Sequence, residues 1–104
     1  MKKLQQILSN NEVKDVYTDL ITCIDHFGAR NLGRLRSCTA TVYETYGYTY
    51  LKSYNTIIAC IGHDNNVCYD FLRMVYGYTS TSAQHIAKFA NDFRASSRVT
   101  YYPV

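Results

Sequence analysis

Cys60, His63 and Cys68 flank one turn-rich stretch, GHDNN (Gly62–Asn66), and Cys38 could join them from a neighbouring strand. Zinc takes four tetrahedral Cys or His ligands, paired at short spacing so that one loop fixes two of them. Only Cys60 and His63 have that spacing, and Cys68 falls where a strand is expected. The set therefore reads as buried thiols beside a turn histidine, and no metal or cofactor is assigned. A Cys–His nucleophile would need a thiol whose pKa is lowered, as at a helix N-terminus, and no cysteine stands in such a position. Asp25 and His26 are adjacent on a helix, so their side chains diverge. The five glycines form no phosphate-cradling loop, and the eight carboxylates are dispersed. No catalytic residue is assigned.

Two surfaces remain. Tyr78–His85, YTSTSAQH, places four consecutive hydroxyl residues, Thr79 to Ser82, at the start of a helix. Free N–H groups at a helix start attract anions, and His85 and Lys88 would share a face of that helix. The competing reading is plain helix capping, with TSAQ as a capping box led by Thr81. The second surface is aromatic. Tyr46, Tyr48, Tyr50 and Tyr54 keep even spacing, so on a regular strand they point to one side. Such a row is either an exposed platform or a sheet face covered by a helix. Tyr76 and Tyr78 repeat the Tyr-Gly-Tyr-Thr sequence of Tyr46–Thr49, but the flanks share no pattern. The glycine in each copy suits a turn or bulge.

The elements that must position these residues follow from periodicity. At 104 residues, with 47% hydrophobic and 18% charged residues, the chain is one globular domain. Eleven Tyr against four Phe and no Trp suit half-buried sheet faces and wet interfaces. Val13, Val16, Leu20, Ile24 and Phe27 make one apolar stripe on a helix that Asn11 can cap and Gly28 can stop. ARNLGRLR, with Arg30, Arg34 and Arg36, follows as a basic loop. From Ser37 the period falls to 2: CTATVYET, YTYLKSYNTIIACI and VCYDFLRMVY read as strands, the second either one bent strand or two. Ile86, Phe89, Ala90 and Phe93 stripe a second helix, and RVTYYPV could add an edge strand ended by Pro103. The fold class is α+β: an N-terminal amphipathic helix, an antiparallel sheet of three to five strands, a C-terminal helix packed on one face, and a possible final edge strand.

The net charge of +3 is too small to diagnose a nucleic-acid binder. Residues 30–104 hold eight bases against four acids, and the bases concentrate in ARNLGRLR, where a local positive field would favour an acidic partner unless it is simply a solvated loop. No apolar run approaches the ~18 residues that span a bilayer, and LQQILSNNEV turns polar too soon for a secretory leader. A cytoplasmic protein with reduced thiols is expected.

LKSYNTIIA (Leu51–Ala59) and YTSTSAQHIAKF (Tyr78–Phe89) together resemble a family of small bacteriophage and mobile-element proteins. That family has a Ser-Tyr-x-Thr strand followed by a Tyr-Ser-x-Thr-Thr-x-x-His-x-x-x-Phe helix start. Ser53, Tyr54 and Thr56 fit the first motif. Tyr78, Thr81, Ser82, His85 and Phe89 fit the second, with Thr79 standing for Ser and Ser82 for the second Thr. The resemblance implies a phage-type accessory protein that binds host machinery, with an anti-CRISPR-like inhibitor of a host defence complex as the class-level expectation. The expected partner is a host protein or ribonucleoprotein complex and not a membrane, with a nucleic-acid-binding regulatory protein as the alternative. Contacts would come from Arg30, Arg34, Arg36, Tyr46, Tyr48, Tyr50, Tyr54, Tyr76, Tyr78, Thr79, Ser80, His85 and Lys88, since Tyr and Arg are the usual interface anchors. The protein would act as a monomer, or as a homodimer if a terminal edge strand pairs between chains.

Overall fold

The computed structural model describes residues 9–35, 40–75 and 79–102. Its chain order is α1 (Asn10–Phe27), β1 (Arg30–Arg34), β2 (Ala40–Thr45), β3 (Tyr48–Ser53), β4 (Thr56–Gly62), β5 (Val67–Asp70), α2 (Leu72–Val75), α3 (Ser80–Asp92) and β6 (Ser97–Thr100). The six strands form one sheet in sequence order. β1 to β5 pair antiparallel as successive neighbours, whereas β6 pairs parallel to β5 after the α2–α3 crossover. The α+β class, the N-terminal helix and the later helix against one sheet face are as the sequence predicts; the sheet is mixed and not antiparallel, because β6 returns parallel after the helical crossover, and it is larger by the basic segment, which is a strand and not a loop.

Two half-cores sandwich the sheet. On one face Ile86 and Phe89 of α3 pack with Val42, Leu51, Ile58 and Ile61. On the other, Val13 and Leu20 of α1 pack with Tyr50, Cys60, Tyr69, Phe71 and Val99. Alternation along each strand sends one residue set to each helix, and each fully buried large side chain contributes about 1.5–3 kcal/mol. A bulge at Ile58, opposite Leu51 and Lys52, lets two consecutive residues, Ile58 and Ala59, serve the α3 face.

Local chemistry moves several boundaries. α1 starts from Ser9 and not Asn11: the Ser9 hydroxyl accepts from the Glu12 amide while Glu12 accepts from the Ser9 amide, a complete capping box. α3 is capped by Thr79 and not Thr81; Thr79 is extended, and its hydroxyl accepts from the Ser82 amide. The run VCYDFLRMVY stays a strand only to Asp70, because the Asp70 carboxylate accepts from the Leu72 amide at 3.0 Å and turns the chain into α2. Ser53–Thr56 is a hairpin turn between β3 and β4, with Tyr54 at φ 54°, so YTYLKSYNTIIACI is two strands. Phe27, expected in the core stripe, is 63% exposed on the last turn of α1, with its ring against Tyr46 and not in the core.

Candidate functional site

β2–β3 and β4–β5 turn at the same end of the sheet, and α1 crosses beside them. Between them lies a cleft of about 570 Å³. Val16, Asp19 and Cys23 of α1 form one wall, and Thr45–Tyr48 with Tyr69 form the floor and lip. Gly62–Asn65 of the β4–β5 turn close the far side.

The walls are braced by hydrogen bonds. The Tyr48 phenol donates to Asp19 Oδ2 at 2.5 Å, tying β3 to α1. Desolvation, then this bond and the Asp19 charge, push the Tyr48 phenol far above its usual range, so it stays a donor. His63 donates its amide to the Gly47 carbonyl at 2.9 Å, and its Nε2 lies 2.9 Å from Thr49 Oγ1, which joins the two hairpin turns. Asn65 accepts from the Val67 amide at 3.0 Å and donates to the Tyr69 hydroxyl at 2.9 Å. The Thr45 hydroxyl donates to the Gly28 carbonyl at 2.7 Å and pins the exit of α1 against β2. Desolvation and the Asp19 charge raise the pKa of the Cys23 thiol, the opposite of what a nucleophilic thiol needs.

An aromatic pair stands at the lip. Phe27 and Tyr46 are 63% and 70% exposed, with ring centroids 4.8 Å apart. Beside them Arg30 pairs with Glu44 at 2.7 Å, a surface ion pair that positions the guanidinium more than it stabilises the fold.

The sequence-predicted residues separate in space. Tyr46 and Tyr48 line the cleft, but Tyr50 is only 3% exposed and lies under α1. Tyr54, 75% exposed, occupies the turn at the opposite end of β3. The row is therefore part lip, part core and part remote turn, because each hairpin bends the strand out of register. Arg30 and Arg34 sit at opposite ends of β1 and, across its irregular step, pair with Glu44 and Thr41, which face opposite sides of the sheet. Thr79 caps α3, with Ser80 and Lys88 exposed on that helix. The buried Nδ1 of His85 has no hydrogen-bond partner among the described residues. Arg36, Tyr76, Tyr78 and Cys38 lie outside the described residues. Cys60 and Cys68 belong to the half-cores of opposite sheet faces, and burial raises both thiols, Cys68 to about 12. Among the described residues, no three metal-ligating side chains gather.

A second arrangement lies on the α1 face of the sheet, away from the cleft. The Tyr43 and Tyr50 rings stack at 5.4 Å, and Lys52 Nζ sits 5.5 Å from the Tyr43 centroid. Arg34, Thr41 and Lys52 stand in register across β1, β2 and β3.

Sequence reasoning missed Phe27 as a surface residue and gave Asp19, Asp64 and His63 no binding role. Asp15, Asp19, Cys23 and Phe27 recur at intervals of four, one helix face beside the core stripe, and that spacing was the available signal.

The class defined here is a small α+β sandwich, a mixed sheet between helices, with a braced cleft at one end and an aromatic lip. The chain belongs to a family of unknown function, DUF8033, whose sequence pattern matches residues 2–102. No curated protein and no solved structure matches it. Among the described residues, no helix is long and apolar enough to cross a membrane.

Proposed function

We propose that this protein works by binding a protein partner through the end of the sheet that carries the Phe27–Tyr46 pair. The observation that carries the reading is the exposure of two large rings in tilted contact beside an arginine, at the lip of a preformed cleft. Aromatic and arginine side chains supply most interface hot spots, and a braced scaffold lowers the ordering cost of binding. The biological setting we attach to it is the one implied by the sequence resemblance: a phage-type accessory protein in the host cytoplasm, acting as a non-enzymatic inhibitor or modulator of a defence complex. The test is photo-crosslinking from position 46 in host cells, followed by reconstitution with the purified captured protein. Phe27→Ala and Tyr46→Ala should each weaken the reconstituted complex by at least about thirtyfold, the hot-spot threshold of about 2 kcal/mol. Tyr54→Ala, at the opposite end of β3, should leave it unchanged. Equal affinity for all three variants refutes the reading.

The Tyr43–Lys52–Arg34 arrangement favours a second reading, binding of a single-stranded nucleic acid by ring stacking and phosphate contact. It requires an oligonucleotide affinity that falls steeply with salt and drops further in Arg34→Ala. No mobility shift at low salt disposes of it.

A further inference from the structure

We infer that the cleft takes the guanidinium of an arginine side chain presented by the protein partner, an inference that rests on the binding reading above. Charge is the first ground. Asp19 and Asp64 are the acidic residues lining the cleft, and no Lys or Arg lines it. Asp64 makes no ion pair among the described residues, and one oxygen of Asp19 is used by Tyr48 while the other is not so engaged.

The second ground is the distribution of charge over the molecule. α1 carries one base against four acids, a net of −3, whereas the remaining residues carry ten bases against four acids, a net of +6. α1, which supplies one wall of the cleft, is therefore the acidic element of a basic protein, and Asp19 on that wall attracts a cationic group. The third ground is shape. The lip is the exposed Tyr46 ring, and Tyr48 and Tyr69 also contribute to the lining. A planar guanidinium can lie against a ring face while its fork reaches carboxylates, which a lysine ammonium cannot do in the same pose. The braced walls suit a side chain entering an existing space: Tyr48 is held by Asp19, His63 by Thr49 and Asn65 by Tyr69.

The test is an amide NMR titration of the full chain with acetyl-Ala-Arg-Ala-amide, run beside the lysine and citrulline counterparts. Saturable shifts are expected at Gly47, His63 and Asp64 with the arginine peptide, with roughly threefold weaker binding of the lysine peptide and no saturation with citrulline, the neutral isostere. Asp64→Asn, at an exposed turn, should weaken the arginine peptide about fivefold, the upper range for a solvent-accessible charge pair. Gln84→Ala, exposed on α3, should leave it unchanged. Absence of saturable shifts, equal binding of lysine or citrulline, or an unaltered Asp64→Asn overturns the inference. The reconstituted complex separates this outcome from the parent reading. Retained affinity in Asp64→Asn with loss in Phe27→Ala removes the arginine and leaves the aromatic lip, whereas retained affinity in Phe27→Ala removes the lip itself.

Discussion

Gly62 ends β4 at the cleft, and its lack of a side chain is a matter of space. A Cβ built there would lie 2.8 Å from Asn65 Oδ1 and 3.7 Å from Asn65 Cγ. The Asn65 amide must then rotate, and rotation breaks its bonds to the Val67 amide and the Tyr69 hydroxyl. Each is worth about 1 kcal/mol, so Gly62→Ala loses about 1–2 kcal/mol from the folded state. Alanine also restricts the unfolded chain, which returns about 0.5 kcal/mol where the native backbone tolerates a side chain. Gly62 is not among the residues at positive φ, so that return applies. The net expectation is a loss of about 1 kcal/mol, or a fall of roughly 4–8 °C in Tm. On an Asn65→Ala background the obstructing amide is gone, and the same substitution should become neutral or stabilising by up to about 0.5 kcal/mol. Urea unfolding of the four proteins in the cycle measures both values. If Gly62→Ala costs the same on both backgrounds, the clash with Asn65 is not the reason for the glycine and the reasoning fails.

Thr79→Ala should cost about 1 kcal/mol in urea unfolding by removing the cap of α3, whereas Thr81→Ala, at the second residue of the helix, should stay within about 0.5 kcal/mol; the reverse order would return the cap to Thr81. Alkaline stability should follow the buried thiols. Below pH 9 the Cys68 thiol is protonated in both states and its contribution is complete; between pH 9 and about 12 only the unfolded chain gives up the proton, so stability falls. The slope is at most about 1.4 kcal/mol per pH unit for one group. Cys68→Ala should flatten that decline while lowering the neutral-pH baseline, and an unchanged slope would assign the decline to other groups.

α1, α3, most of the sheet and the α+β class were legible because each rests on a periodic pattern that one residue cannot change. Val13, Val16, Leu20 and Ile24 fix the buried face of α1 whatever the cap, and the apolar run Ile57–Ile61 could only be a central strand. The misread places are those where a single side chain bonds to nearby backbone. Ser9, Asp70 and Thr79 each decide a boundary through one hydrogen bond, and neighbouring residues of similar chemistry offered equal alternatives. β1 was misread for another reason. It is an edge strand with Gly33 at φ 109° and an Asn31 side chain that accepts from the Gly33 amide, so locally it has the composition of a turn. Only its pairing with β2 makes it a strand. The cleft was half legible: the two turns were marked by Gly47 and Gly62, but nothing local says that α1 brings Asp19 to them.

The two ends of the described chain meet. Asn10 Oδ1 accepts from the Tyr102 amide at 3.0 Å, and Asn10 Nδ2 donates to the Tyr102 carbonyl, a reciprocal pair between residues 92 apart in sequence. With Thr45 holding the Gly28 carbonyl at the other end, α1 is a beam pinned at both supports. One pin stands beside the cleft, and the other stands at the far end of the helix. Between the pins the Tyr48–Asp19 bond ties the beam to β3, so the wall that carries Asp19 is held at both ends and near its middle by polar contacts.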